Sequence, residues 1–245
     1  MANRRFSEKE LRALMVERDK EHYTDGGDVR DAILGANDGF VSILGLVSGV
    51  AGGSNSSGLV VLAGAAGAFA AAVSMALGNY ISVKSQIEVY RAEVEKERYE
   101  MEHYPQVEEL EIRDIYRERG LRGKALDDVV RAIVADKNVW LNVMLVEELG
   151  FKKGKQGDPM RSALITGGAF TVAAVFPILP YVLLPIQSAI TFSLVLTLAG
   201  VFIMGALKSK LTKLNWLESG LEMVVIAGVA AGVSYFVGQW LGVHI

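Results

Sequence analysis

One aspartate, Asp38, interrupts an apolar stretch that runs from Ala32 to Ala51. If that stretch crosses a bilayer, its carboxylate costs on the order of 2.5–3.5 kcal/mol on insertion scales, and such a group is kept where an ion, a proton or a partner charge uses it. A second apolar stretch carries Met75, in the run AAAVSMALGNY. A carboxylate and a thioether on neighbouring helices could bind and release a partly dehydrated Fe²⁺ or Mn²⁺, because oxygen suits hard cations and sulfur draws softer ones. The alternative for Met75 is packing, and for Asp38 a helix-end cap or a buried hydrogen bond.

A second set of candidates is acidic. Between Glu93 and Glu118 there are ten Asp/Glu against four Lys/Arg. Glu93, Glu97 and Glu100 recur at i, i+4, i+7, one face of a helix, and Glu108 and Glu111 share a face of the next. Pro105 turns the chain between them, so the two carboxylate faces could meet. Further on, Met144 and Glu148 lie four apart and share a face. These residues could form a divalent-cation site of carboxylate oxygens with one thioether; a solvated charged helix carrying Glu–Arg and Glu–Lys pairs is the alternative.

The elements that must hold these groups follow from the apolar runs. About 20 apolar residues span a bilayer as a helix, and five windows reach that length: 32–52, 59–83, 162–181, 187–207 and 221–242. Gly35/Gly39, Gly45/Gly49 and Ala68/Ala72 stand four apart, a spacing that lets helices approach closely in lipid. The third and fourth spans meet around Pro180–Pro185. All 25 Lys and Arg fall in 1–30, 84–161 and 208–213. With five spans these segments share one side, which the positive-inside rule makes cytoplasmic. The N-terminus is then cytosolic and the C-terminus lies on the far side.

Residues 84–161 are too charged to be embedded. They are expected to form helices over 84–104, 106–119 and 124–136, and a fourth capped by Asn138 and ending at Gly150. The first should continue the second span without a break, since no Gly or Pro intervenes. The expected class is all-α: a polytopic membrane protein with five transmembrane helices and a cytosolic helical metal-binding domain inserted between the second and third. Its parts are a cytosolic N-terminal helix (1–30), spans one and two (31–83), the acidic domain (84–161) and spans three to five (162–245).

Several classes are set aside. The chain has no cysteine, which excludes disulfides, zinc–thiolate sites and iron–sulfur clusters. There is no phosphate-binding G-x-x-x-x-G-K-[ST] loop, no G-x-S-x-G and no H-E-x-x-H. Glu100 and His103 form one E-x-x-H, half of a di-iron ligand set. The other half is missing, so an iron-oxidising enzyme is not expected. A net charge of −3 argues neither for nor against a nucleic-acid partner; no nucleic acid and no prosthetic group are expected.

The stretches DAILGANDGFVSILGLVSGV, SMALGNYISVKSQ and WLNVMLVEELG, with the acidic insert between the second and third, resemble the vacuolar iron transporter family, also called the Ca²⁺-sensitive cross-complementer family. The resemblance covers nearly the whole chain from Asp31. It implies a homodimer in the bilayer that exchanges Fe²⁺, and also Mn²⁺, for protons along its two-fold axis. It further implies that Asp38 and Met75 line the pathway, and that Glu97, Glu100, Glu108, Glu111, Met144 and Glu148 bind metal in the insert. One position departs: plant members carry a second carboxylate eight residues before the methionine, where this chain has Gly67. A membrane-anchored metal-binding or sensing protein that does not transport is the competing expectation. The lack of an apolar N-terminal targeting segment points to a prokaryotic plasma membrane.

Overall fold

The structure is a computed structural model and describes residues 26–151, 157–212 and 215–244. The rest of the N-terminal segment expected to be helical, residues 1–25, lies outside the described residues. Every regular element among those described is helical. In order they are α1 (Gly26–Gly53), α2 (Ser57–His103), α3 (Pro105–Glu118), α4 (Gly123–Val134), α5 (Lys137–Val143) with a π-helical turn Met144–Glu148, α6 (Pro159–Leu183), α7 (Ile186–Thr212) and α8 (Trp216–His244).

Five of these, α1, α2, α6, α7 and α8, are long and apolar enough to cross a membrane. They match the five windows, with two differences at the ends. Helix α1 starts at Gly26 and so includes Asp28, Arg30 and Asp31. An acidic residue in a first turn favours the positive end of the helix dipole. Helix α6 continues through Pro177 and Pro180 to Leu183; Ser193 donates its hydroxyl proton to the Pro177 carbonyl at 2.7 Å.

The chain divides into two compact units, residues 1–79 with 160–245, and residues 80–159. In the first, α1 is held by close backbone approach. A Cβ on Gly35 or Gly39 would overlap the carbonyl oxygens of Thr166 and Phe170 on α6, and one on Gly238 of α8 would overlap Gly49. Small residues permit this, and the contact density replaces the hydrophobic drive that lipid does not supply. Ile43, Val47, Val60, Phe170, Ala174 and Ala189 fill one core cluster, with Met75 packed on its edge. Phe40, Ala173, Val201, Met223 and Ala227 form another.

The second unit surrounds a core of Ile112, Leu126, Val130, Ile133, Trp140 and Met144. Three of these, Leu126, Val130 and Ile133, recur at i, i+4, i+7 on α4, which explains why that short helix buries one stripe. Helix α2 runs unbroken across the expected junction at Lys84. Pro105 then opens α3, where a missing N–H is harmless. Gly120 turns the chain just after α3 at φ 96°, a conformation that suits glycine. The cap of α5 is a correction: the side chain of Asp136, not Asn138, accepts from the backbone N–H groups of Asn138 and Val139, at 2.8 and 3.3 Å. A carboxylate accepts these bonds more strongly than an amide oxygen, and it stands at the negative-favouring end of the helix.

A carboxylate cluster and a membrane aspartate

In the unit 80–159, α2 presents Glu97 and α3 presents Glu108. Both are 4% exposed. The π-helical turn brings Glu148 to them, and one oxygen from each of the three lies within 4.8 Å of the others. Among the described residues this is the group whose geometry could hold a metal ion. Apart from the contact between the two carboxyls themselves, Glu97 Oε1 and Glu108 Oε2 have no hydrogen-bond partner. Buried unpaired carboxylate oxygens are costly, and two negative charges side by side cost more.

The electrostatics record that conflict. Burial, above all, raises the Glu97 carboxyl from its usual 4.5 to about 8, with a hydrogen bond to Glu108 and the charges of Glu108, Glu148 and Glu100 adding to the effect. At neutral pH Glu97 therefore keeps its proton. Burial also raises Glu108, assisted by Glu111 and Glu100, while the hydrogen bond from Glu97 opposes the shift. Glu148 is raised by burial first, then by Glu111, Glu108 and Glu100. Five glutamates thus feel one another, although the close group contains three of them. Glu100 is half-buried and pairs with Lys96 at 3.8 Å, and Glu111 is half-buried. Met144 is fully buried in the core cluster with Ile112 and Trp140, four residues before Glu148.

The π turn is the feature that residue spacing did not disclose. It widens the last part of the helix, closing with the Leu149 N–H on the Met144 carbonyl at 3.2 Å. Such turns recur at functional sites. Next to Glu148, Glu147 is held by Arg119 of the segment after α3. His103 stays outside the carboxylate group: its Nδ1 bonds the Tyr99 carbonyl at 2.9 Å, and its ring stacks on Tyr99.

In the unit of long helices, Asp38 is half-buried on α1 and accepts a hydrogen bond from the Ser42 hydroxyl at 2.6 Å. Met75 is half-buried on α2, against the cluster of Ile43, Val47 and Phe170. The space at Gly67 is taken by Leu46, whose Cδ2 a Cβ at 67 would strike. A network that was not anticipated lies near the start of α1. Asp31 is 3% exposed, pairs with Arg30 at 3.2 Å and accepts from the Ser162 hydroxyl. Its position at the edge of an apolar run resembles that of a boundary charge, which hid it.

Comparison with known proteins decides the relationship. The sequence profile of the VIT family matches residues 29–239. The chain belongs to the VIT family. It is 32% identical over 229 residues to vacuolar iron transporter 1 of Arabidopsis thaliana, covering 93% of this chain and 92% of that one. It is 33% identical over 229 residues to vacuolar iron transporter 2 of Oryza sativa subsp. japonica, covering 93% of each. A vacuolar iron transporter of Acanthamoeba castellanii is 35% identical over 167 residues, 68% of this chain and 60% of that one. The stretch shared with the family includes Asp38, Met75 and all six of the other candidate ligands.

The shifted carboxyls of this VIT-family chain give a stability prediction. Glu97 is raised on folding, so its contribution is complete below about pH 4.5 and is lost as pH rises through about 8. The metal-free protein should melt at progressively lower temperature between pH 5 and pH 9. Glu97→Gln carries no titrating proton and should flatten that slope, which thermal melting followed by intrinsic fluorescence would register.

Proposed function

We propose that this chain is a homodimeric carrier of divalent metal, Fe²⁺ and also Mn²⁺, that moves the ion out of the cytosol in exchange for protons. The observation that carries this reading is the group Glu97, Glu108 and Glu148, with ligand oxygens within 4.8 Å and two of the three side chains buried. Buried acids of one sign are tolerated when a cation or a proton joins them. The names of the relatives, vacuolar iron transporters, supply the kind of cation.

In this account the unit 80–159 collects metal on the cytosolic side. Glu97, Glu108 and Glu148 provide the close oxygens, with Glu100 and Glu111 adding negative potential and outer ligands, and the Met144 sulfur biasing the site toward softer transition metals. Because Glu97 holds a proton at neutral pH, loading metal displaces it. The pathway across the bilayer uses Asp38 and Met75. Asp38 takes either metal or proton, and each occupant excludes the other, which couples the two fluxes. With Leu46 occupying the space at Gly67, Asp38 serves both ions in this part of the pathway. The direction is the same for a plasma membrane and for the vacuolar membrane that the relatives' names indicate.

A competition experiment with the full chain in proteoliposomes tests this. Fe²⁺ flux is measured against Mn²⁺, Zn²⁺ and Ca²⁺, with and without a pH gradient. The expected outcome is flux of Fe²⁺ and Mn²⁺ that an opposing proton gradient accelerates, with weak competition from Ca²⁺. Metal binding with no flux of any ion would instead make the chain a membrane-anchored binding or sensing protein.

A further inference from the structure

Three helices are tied together by one directional chain of hydrogen bonds. On α6, the Ser162 hydroxyl donates to the buried Asp31 carboxylate of α1. That commits the Ser162 proton and leaves the hydroxyl oxygen to accept. The Asn79 amide of α2 donates to it at 2.8 Å, and reaches the Ser162 carbonyl at 3.2 Å and the Thr166 hydroxyl at 2.6 Å. Thr166 in turn donates to the Ser162 carbonyl at 2.9 Å. Ser162 and Thr166 are 6% and 0% exposed, so water does not compete for these bonds.

The α1 and α6 ends of this chain are closely packed. Directly beyond it, Gly35 and Gly39 place the α1 backbone against the carbonyls of Thr166 and Phe170, with no room for even a methyl group. Asp28 and Arg161 add an ion pair one turn earlier. The pair α1–α6 is therefore a closely packed frame, and Asn79 supplies the side-chain hydrogen bonds by which α2 is keyed to it. Asn79 stands four residues after Met75, on the same face of α2. On either side of Met75, Ala72 and Ala76 abut Gly167 of α6.

We infer that Asn79, oriented through Ser162 by Asp31, is a positioning residue that fixes the register of α2 and so aims Met75 into the metal pathway. This rests on the proposed role of Met75 and adds a function to a network that none of the pathway steps uses. Its consequence is selectivity: an unkeyed α2 lets Met75 drift, and the preference for transition metal over Ca²⁺ weakens while the carboxylate ligands persist.

The test is a double-mutant cycle on the full chain in proteoliposomes, reading Fe²⁺ flux, Ca²⁺ competition and melting temperature in detergent. Asn79→Ala and Met75→Leu should each lower Fe²⁺ flux about tenfold and raise Ca²⁺ competition, and the double variant should be no worse than Met75→Leu alone. Ser162→Ala, whose folding is checked by the same melting temperature, should reproduce the loss, and Ser162→Thr, which keeps the hydroxyl, should not. Losses that multiply in the double variant, or that follow the melting temperature with unchanged Ca²⁺ competition, would overturn the inference. Wild-type flux by Met75→Leu would instead remove Met75 from the pathway, and this inference with it.

Discussion

Asp38→Ala should reduce Fe²⁺ flux in proteoliposomes to the level of empty vesicles while leaving metal binding by the glutamate cluster unchanged. The substitution removes a half-buried carboxylate whose described hydrogen bond is a local one from Ser42, four residues on. Released, the Ser42 hydroxyl can bond a carbonyl of its own helix, as serines in helices do. The fold should therefore survive with little change in melting temperature. A loss of tenfold or more in flux corresponds to about 1.4 kcal/mol or more. Asp38→Asn is the sharper variant, because it keeps the shape and an acceptor for Ser42 but cannot titrate. Its flux should also vanish, and wild-type flux by Asp38→Asn would show that no proton or metal exchange depends on this side chain.

Glu108→Gln should move binding and stability in opposite directions. Glu108 contributes one of three close ligand oxygens, and losing one should weaken Fe²⁺ or Mn²⁺ binding roughly 10–100-fold, the range seen when groups supporting a metal site are removed. The same change withdraws one negative charge beside Glu97, whose raised carboxyl owes part of its shift to Glu108. Glu97 then ionises at lower pH, and the metal-free protein should melt at a higher temperature than wild type near pH 8. Strained, repelling groups at a binding site commonly lower stability for the sake of function. Calorimetric titration with Mn²⁺ and thermal melting at pH 6 and pH 8 would read both effects. A variant less stable than wild type and equal in affinity would place Glu108 in the core as a structural residue.

Much of the architecture was readable because membrane spans follow from run length and charge segregation alone. Asp38 and Met75 stood out for the same reason, as rare groups in apolar runs. In the acidic region, helix periodicity put Glu97 on one face and Glu108 on another, and Pro105 signalled the turn that brings them together. Glu148 was harder, since its approach depends on a π turn whose extra residue per turn has no counterpart in an α-helical spacing rule. The anchor at Asn79 was invisible for a different reason. Its partners Ser162 and Thr166 are more than eighty positions away, and neither an amide nor a hydroxyl in an apolar run marks itself as half of a pair. Asp136 rather than Asn138 as the cap of α5 shows how two adequate capping residues so close together cannot be ranked before the backbone is known.

The most direct measurement records both ions in the same vesicles. Full-length protein would be reconstituted with a metal-sensitive dye and a pH-sensitive dye inside, and Fe²⁺ added outside under reducing conditions. Metal entry should be accompanied by proton exit, both lost together in Asp38→Asn. Metal entry with no change in lumen pH would contradict the exchange mechanism, and metal bound to the protein with no entry would contradict transport itself.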